Sequence, residues 1–145
     1  MIRLGCVGLG YWGPNILRAF LGLRGCEVRW ACDQDEGRLK KIGGAHPQVS
    51  LASHYEELLQ DPELDALSIA TPATMHYSMA KAALEAGKHV LVEKPLAMEI
   101  GEAKELIELA ERRSRILMVG HLLLYHPAVR KLKNFVEAQE LGEIY

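Results

Sequence analysis

The sequence lacks the features that would assign it to several large classes of protein. None of its apolar runs approaches the roughly 20 residues that a membrane-spanning helix needs. Its 17 basic and 19 acidic residues give a formal net charge of −2, and no lysine-rich or arginine-rich run predicts binding to nucleic acid. The three cysteines, Cys6, Cys26 and Cys32, follow no zinc or disulfide spacing, and no metal site is expected. Together with the lack of a signal peptide, reduced and inert cysteines favour a cytoplasmic protein.

What the sequence contains is an alternation of short apolar runs and amphipathic helical patterns. Strands that alternate with helices pair in parallel, because each return to the sheet needs a crossover connection. Six strand patterns predict an α/β fold, a doubly wound and mostly parallel sheet with helices on both faces. Ser53 is expected to cap a short helix after the third strand, with Glu56 completing a capping box. Strands are predicted at 2–7, 27–32, 49–52, 66–70, 89–92 and 116–119, and further helices at 14–23, 36–42, 75–86, 100–110 and 127–138.

Three glycines follow the first strand at the spacing G-x-G-x-x-G. Gly8 permits a tight turn, Gly10 lets the backbone approach a pyrophosphate, and Gly13 lets the next helix pack closely on the strand. Backbone N–H groups of Tyr11 and Trp12 would then face the phosphates at the positive end of the helix dipole. A glycine-rich turn without a ligand is the alternative, but three glycines carry an entropic cost that a plain turn avoids. The motif therefore predicts a dinucleotide site of the Rossmann type.

Asp33 follows the second strand and is the candidate ligand of the adenosine ribose. A carboxylate at this position can accept hydrogen bonds from both ribose hydroxyls, and it would repel a 2′-phosphate. The sequence therefore favours NAD over NADP as the cofactor. Asp33 could instead cap the following helix. Arg38, one turn further on, either leaves room for a 2′-phosphate or is a solvated helix charge, and both alternatives stay open.

Two further segments carry a more specific pattern. Residues 71–76 read T-P-A-T-M-H, and residues 86–95 read A-G-K-H-V-L-V-E-K-P. With the glycine turn, these segments closely resemble the glucose-fructose oxidoreductase / inositol dehydrogenase / MocA family, and the resemblance covers essentially the whole chain. Residues 10–15 and 120–127 are also similar to family members that oxidise C3 of nucleotide-linked N-acetylamino sugar acids. The resemblance implies a Rossmann domain that binds NAD(P).

The resemblance also implies a role for individual residues. Thr71 and Pro72 would line the dinucleotide cleft, and His76 would lie near the dinucleotide; alternatively, His76 is a helix N-terminal histidine bonded to backbone. Glu93 and Lys94 would lie at the carboxyl end of the sheet, where open α/β folds bind ligands. Lys94 would face the nicotinamide and the reacting carbinol as the catalytic residue, or else it is a surface lysine at a strand end. The peptide bond after Lys94 is expected to be cis.

The domain organisation is inferred from the same resemblance. Residues 1–122 would form the dinucleotide-binding domain, and residues 123–145 a linker helix and the start of a second, substrate-binding domain. In the family, the second domain supplies a histidine that transfers the proton and carries the usual oligomer interface. We therefore expect a homo-oligomer for the full-length protein and no turnover by this chain alone. His121 and Tyr125 are weaker candidates for contact with substrate, and His126 is a further candidate base.

The expected reaction is hydride transfer from the CH–OH group of a sugar or nucleotide sugar to NAD. A non-catalytic dinucleotide sensor or partner-binding module is the main alternative, because a fold does not determine a function. A methyltransferase that binds S-adenosylmethionine would share the glycine turn and the acidic residue, but it gives no role to Thr71, Pro72 or Lys94. Neither nucleic acid nor a membrane is an expected partner.

Overall fold

Six parallel strands form the centre of the computed structural model, which describes residues 1–143. The strands are β1 (Ile2–Val7), β2 (Cys26–Cys32), β3 (Ser50–Ala52), β4 (Ala66–Ile69), β5 (His89–Val92) and β6 (Leu117–Val119). The helices are α1 (Gly13–Leu21), α2 (Glu36–Ala45), α3 (Tyr55–Gln60), α4 (Ala73–Glu85), α5 (Ile100–Arg112) and α6 (Pro127–Glu137). The strand order β3-β2-β1-β4-β5-β6, with every neighbouring pair parallel, confirms the predicted doubly wound sheet.

Helices cover the sheet on both faces, and each face has its own apolar core. On one face, α1 and α2 pack through Leu17 and Ile42 against β1 and β2. On the other face, α3, α4 and α5 contribute Leu58, Leu84 and Leu106, all of them fully buried. Burial of a leucine of this kind contributes about 1.5–3 kcal/mol. Because the helices change face halfway through the chain, a crevice opens between β1 and β4, where the strand order reverses.

The third helix begins one residue later than the sequence predicts. His54 is its N-terminal capping residue, and the His54 backbone N–H lies 3.3 Å from the Glu57 carboxylate. The prediction of Ser53 and Glu56 as the capping pair is therefore wrong. The reason is the length of β3: Ser53 directly follows the last paired strand residue, and His54 is the residue with the extended backbone, φ −117° and ψ 127°, that precedes a helix.

The fourth helix begins at Ala73, two residues before the predicted start. Pro72 precedes it with a φ of −57°, which its ring favours. At the other end, Gly87 has a φ of +75°, the left-handed conformation in which a glycine commonly ends a helix. The Gly87 N–H donates to the Leu84 carbonyl at 3.0 Å, so this glycine turns the chain directly from α4 into β5.

The C-terminal segment consists of a 3-10 turn at Leu122–Tyr125, which the sequence does not predict, and α6, which packs against it. One face of α6 is apolar and exposed: Val129, Leu132 and Val136 are 37%, 54% and 42% exposed. The strand with which a second domain would begin is not formed in residues 141–143: residue 141 belongs to a turn, and residues 142–143 have no regular structure. Residues 144–145 lie outside the described residues. No helix within residues 1–143 is both long and apolar enough to cross a bilayer.

All three cysteines are free thiols. Cys6 and Cys32 are buried in β1 and β2, and burial raises the pKa of each to about 12. Cys26 is partly exposed, and burial raises its pKa as well. Because the thiolate is the reactive form, the raised pKa values agree with the prediction of inert cysteines.

Charged side chains fasten the loop before β4 to the amino end of the sheet. Asp65 accepts hydrogen bonds from the backbone N–H of Arg3 at 2.8 Å and from its guanidinium at 3.2 Å. These bonds hold the pKa of Asp65 at about 2, well below its usual range. In the same loop, Asp61 binds Arg29 at 2.9 Å, and the buried amine of Lys88 donates to the Asp61 carbonyl at 2.6 Å. The network anchors the start of β4 beside the start of β1, at the edge of the sheet opposite the crevice.

We expect Asp65→Asn to destabilise the fold above pH 4 and to change little near pH 2. The folded-state pKa of Asp65 is lowered, so its contribution is complete above the unfolded pKa near 4 and is lost as the pH falls towards about 2. The Asp65 side chain is 37% exposed, and solvent screening limits the loss to about 1 kcal/mol. Urea unfolding at pH 7, 4 and 2 measures it. Glu111→Gln, at an exposed carboxylate of α5, is the control, and an equal effect of both variants contradicts the assignment.

Candidate functional site

A cleft of about 970 Å³ opens at the carboxyl ends of β1, β2 and β4. It lies where the strand order reverses, which is where doubly wound sheets bind their ligands. Its volume falls within the range of about 300–1,000 Å³ that is typical of small-molecule sites. Eight of the residues predicted to bind the cofactor line it, namely Gly8, Gly10, Tyr11, Trp12, Asp33, Arg38, Thr71 and Pro72.

The three glycines of the turn serve different purposes. Gly8 has a φ of +85°, and a Cβ there would lie 2.6 Å from the carbonyl oxygen of Ala70. A Cβ on Gly13 would collide with the carbonyl oxygen of Gly8, so only a glycine lets α1 approach β1 this closely. At Gly10, by contrast, the nearest atom to a Cβ would be Nη1 of Arg38, at 3.8 Å. Gly8 and Gly13 are thus required by the fold, whereas Gly10 leaves open space in the cleft.

The backbone of the turn also presents hydrogen-bond donors to the cleft. The N–H groups of Gly10, Tyr11 and Trp12 find no acceptor within residues 1–143. They immediately precede α1, whose first turn carries the positive end of the helix dipole. The rings of Tyr11 and Trp12 stack with centroids 6.2 Å apart at the mouth of the cleft. Free donors, a helix N-terminus and open space at Gly10 together fit a pyrophosphate.

Asp33 is tied into the protein by three hydrogen bonds. Its Oδ2 accepts from the Leu9 N–H at 2.6 Å, and its Oδ1 accepts from the Asp35 N–H at 2.9 Å. The guanidinium of Arg38 lies 3.3 Å from the same Oδ2 and is half exposed. Asp35, and not Asp33, caps α2, because its carboxylate accepts from the Arg38 N–H at 3.0 Å. Asp33 therefore braces the glycine turn through Leu9 and faces the cleft with its remaining acceptor capacity.

The wall opposite the glycine turn comes from α3 and α4, and the sequence does not predict it. Tyr55, Leu59 and Met79 line this side. The hydroxyl of Tyr55 donates to the Met79 carbonyl at 2.8 Å, and burial raises the Tyr55 pKa, so the phenol stays neutral. The resulting surface is mostly apolar and suits a flat ring such as adenine. Its only sequence signal is the spacing of Tyr55 and Leu59, which places them on one helix face.

Glu93 and Lys94 lie outside this cleft, at the carboxyl end of β5. Lys94 is exposed and has no partner within residues 1–143, and the Lys94–Pro95 bond is cis, as predicted. The Glu93 carboxylate packs against Gly120, where a Cβ would lie 2.9 Å from Glu93 Oε1. Gly120 is not a residue that the sequence marks as part of a site, because its contact with Glu93 forms only when β5 and β6 pair. The predicted catalytic lysine and the cleft thus share the carboxyl edge of the sheet.

His76 is placed inside the protein, and it does not line the cleft. Its Nδ1 lies 2.6 Å from the carbonyl oxygen of Pro95, and its Nε2 lies 2.9 Å from the carbonyl oxygen of Thr71. This placement matches the alternative in which the histidine bonds to backbone. Direct contact between His76 and the dinucleotide remains a prediction.

The weaker candidates for substrate contact lie beyond β6 and do not line the cleft. His121 and Tyr125 are exposed, and the guanidinium of Arg130 lies 5.8 Å from the Tyr125 ring centroid. His126 caps α6, with its Nδ1 accepting from the Ala128 N–H at 3.2 Å. Their roles stay predictions. In the part of the chain that the structure describes, no three His, Cys, Asp or Glu side chains group as metal ligands would.

Comparison with protein families identifies one match over most of the chain. A family model described as an oxidoreductase family with an NAD-binding Rossmann fold, the GFO_IDH_MocA family, matches residues 2–121. These residues contain every strand of the described structure and all the residues predicted to bind the cofactor. The match confirms the resemblance that the sequence motifs carry.

Individual relatives extend the match to the whole chain. An uncharacterised oxidoreductase of Escherichia coli (strain K12) is 35% identical over 99% of this chain and 41% of its own length. A UDP-N-acetylglucosamine 3-dehydrogenase of Acidithiobacillus ferrooxidans is 29% identical over 97% of this chain and 46% of its own length. Among solved structures, a 3-ketoreductase from Actinomadura kijaniata in complex with TDP-benzene and NADP has a TM-score of 0.90 at 30% identity, covering 99% of this chain and 44% of that one. The chain therefore spans less than half the length of these relatives.

The open space at Gly10 predicts that Gly10→Ala weakens dinucleotide binding and leaves the fold intact. The new methyl group meets no protein atom closer than 3.8 Å, so the free energy of unfolding should change by less than about 0.5 kcal/mol. It would occupy the space beside the free amides, and we expect the affinity for NADH to fall at least about tenfold, or 1.4 kcal/mol. Fluorescence titration with NADH and thermal unfolding measure the two effects.

The matched control is Gly44→Ala, a second glycine with nothing near its Cβ position, in α2 and away from the cleft. It should leave NADH binding unchanged and raise stability by about 0.5–1 kcal/mol, because alanine is the better helix residue. Unchanged NADH affinity in Gly10→Ala shows that the phosphates do not approach Gly10.

Proposed function

The chain belongs to the GFO_IDH_MocA oxidoreductase family, and we propose that it is the dinucleotide-binding part of an NAD(P)-dependent enzyme that acts on the CH–OH group of a sugar or nucleotide sugar. The observation that carries the proposal is the turn at Gly10, with its free amides and its open Cβ position at the carboxyl edge of the sheet. The substrate class is supported by the UDP-N-acetylglucosamine 3-dehydrogenase and the 3-ketoreductase among the relatives.

In this proposal the described residues hold the adenosine ribose and the pyrophosphate of the cofactor. The pyrophosphate lies at the amides of Gly10, Tyr11 and Trp12, where the helix dipole of α1 attracts negative charge. The adenosine ribose hydrogen-bonds to Asp33. Thr71 lines the opposite side of the cleft and would contact the part of the dinucleotide that extends from the pyrophosphate towards β5. The bound nicotinamide ring supplies the hydride acceptor of the reaction.

Lys94 is the proposed catalytic residue. Its ammonium group is exposed at the carboxyl end of β5 and has no carboxylate partner within residues 1–143, so it is free to donate to a substrate oxygen. Donation to the oxygen of the reacting carbon stabilises the negative charge that develops there as the hydride leaves. We propose that the base that removes the hydroxyl proton lies in the substrate-binding domain that the family resemblance implies, with a homo-oligomer as the full-length state. Three free, buried or partly buried thiols favour a cytoplasmic location.

The first prediction from this function concerns the cofactor: NAD(H) should bind more tightly than NADP(H). Asp33 presents a nearly buried carboxylate to the ribose, and a 2′-phosphate beside it would be repelled. Calorimetric titration with NADH, NADPH and S-adenosylmethionine measures the preference and tests the methyltransferase alternative. Asp33→Asn should reduce the preference by about tenfold or more while keeping an acceptor for the Leu9 N–H. Arg38→Ala is the matched variant, and a loss of NADPH binding alone would show that Arg38 holds a 2′-phosphate.

The second prediction concerns turnover: this chain should bind NADH without oxidising sugars or nucleotide sugars. Holding the carbinol against the nicotinamide in a dry site can contribute roughly 7–11 kcal/mol, and Lys94 is solvated on its exposed side. A general base typically adds about 10²–10⁴-fold. The test follows NADH absorbance with NAD and a panel of free sugars and UDP-sugars in excess. Robust turnover would mean that a base within the chain, such as His121 or His126, transfers the proton. NADH binding without turnover is also the result expected of a dinucleotide sensor. The same assay on a full-length protein that contains this sequence separates an enzyme from a sensor.

A further inference from the structure

One buried polar side chain has partners that the proposed function does not yet use. The ring of His76 is 1% exposed, on a helix whose neighbouring core positions are apolar, among them Met79, Ala80 and Ala83. Buried polar side chains in folded proteins are nearly always hydrogen-bonded. Nδ1 of His76 lies 2.6 Å from the carbonyl oxygen of Pro95, and Nε2 lies 2.9 Å from that of Thr71. Carbonyl oxygens only accept, so the neutral ring donates its one N–H to one of them, and the imidazolium ring donates to both.

The two carbonyls belong to the loops that leave neighbouring strands. Thr71 follows β4, and Pro95 follows β5, whose last paired residues are Ile69 and Val92. The Glu93 N–H donates to the Ile69 carbonyl at 2.9 Å, and beyond that bond no backbone hydrogen bond within residues 1–143 joins the two loops. Past the ends of the strands, the polar connection between these loops therefore runs through the ring of His76.

The loops that His76 joins lie on either side of the proposed reaction site. Thr71 lines the dinucleotide cleft, whereas Pro95 is bonded directly to Lys94, which lies outside it. We propose that His76 is a positioning residue that sets the spacing between the cofactor cleft and Lys94, and thereby the placement of the nicotinamide half of the dinucleotide. This inference rests on the proposed function and deepens it: because the ring is buried and does not line the cleft, His76 would act through the two carbonyls that it faces.

The geometry also predicts which half of the cofactor depends on His76. The adenosine half would be held by Asp33 and the glycine turn, whose hydrogen bonds to Leu9 and Cys32 do not involve the loops after β4 and β5. The turn meets the first of these loops only through the packing of Gly8 against Ala70. The nicotinamide half must extend from that turn towards Lys94, across the gap that His76 spans. A change at His76 should therefore weaken a ligand that carries nicotinamide more than one that lacks it.

The test compares NADH with ADP-ribose, which keeps both phosphates and both riboses and lacks the nicotinamide. We expect His76→Leu to weaken NADH binding at least about tenfold and ADP-ribose binding by less than about threefold. His76→Gln, whose amide can still donate to one carbonyl, should recover part of the loss. Calorimetry measures both ligands, and thermal unfolding monitors the fold of each variant.

Leu84→Ala is the control for a merely structural role, because Leu84 is fully buried on the same helix and does not line the cleft. It should lower the melting temperature and leave the ratio of NADH to ADP-ribose affinity unchanged. If His76→Leu and His76→Gln lower both affinities by the same factor, His76 is only a core residue and the inference is overturned. If the unmodified chain binds neither ligand, the proposed function itself fails.

A measurement on the unmodified chain covers the case in which neither variant folds. Because the ring of His76 is 1% exposed, we expect its N–H to exchange slowly with solvent, and nuclear magnetic resonance can follow this exchange. When NADH is bound, its nicotinamide half would contact both loops and should slow the exchange of the His76 N–H. At equal saturation, NADH should slow this exchange at least about threefold more than ADP-ribose does. An equal effect of the two ligands contradicts the inference.

Discussion

The contact between Gly13 and the carbonyl oxygen of Gly8 is the constraint on which the site depends. A side chain at Gly13 would push α1 away from β1, and one at Gly8 would meet the backbone of Ala70 and Thr71 after β4. In both cases the atoms that it would meet are backbone and cannot move aside. With both glycines in place, the helix begins immediately beyond the strand, and the amides between them are turned towards the cleft. Asp33 then holds the turn from the neighbouring strand through the 2.6 Å bond to Leu9. The proposed anion site is thus a consequence of how closely two elements pack.

The sequence predicts this part of the molecule well because the signals are local. Apolar periodicity locates the strands, and the spacing of the glycines together with Asp33 identifies the residues that line the cleft. What the sequence misses depends on contacts between distant residues. Tyr55 meets Met79 across two helices, and Gly120 meets Glu93 only because β5 and β6 pair. Neither contact leaves a spacing pattern, since each is set by the packing of the sheet and its helices.

Two buried polar side chains contact loop carbonyls at opposite ends of the unit formed by α4 and β5. Lys88, between α4 and β5, donates its amine to the carbonyls of Asp61 and Leu64 at the amino edge of the sheet. His76, near the start of α4, meets two carbonyls at the carboxyl edge. Both satisfy backbone groups of loops that have no strand partner, and the core between them is apolar. The Lys88 contacts are remote from the cleft and serve the fold, whereas the His76 contacts lie between the cleft and Lys94.

In the proposed binding mode, the contacts of Asp33 also limit how strongly the site would discriminate between NAD and NADP. A carboxylate offers about four acceptor positions, and the amides of Leu9 and Asp35 together with Arg38 occupy three of them. A ribose diol that donates twice therefore has to displace one of these donors. Arg38 is the one that can yield, because its contact is the longest at 3.3 Å, its side chain is half exposed, and Asp35 offers it a second carboxylate at 3.7 Å. With a 2′-phosphate in place of the hydroxyl, the same displaced guanidinium would lie beside it and offset part of the repulsion from Asp33. In this binding mode, the preference for NAD or NADP depends on the position that the movable guanidinium of Arg38 takes relative to the fixed carboxylate of Asp33.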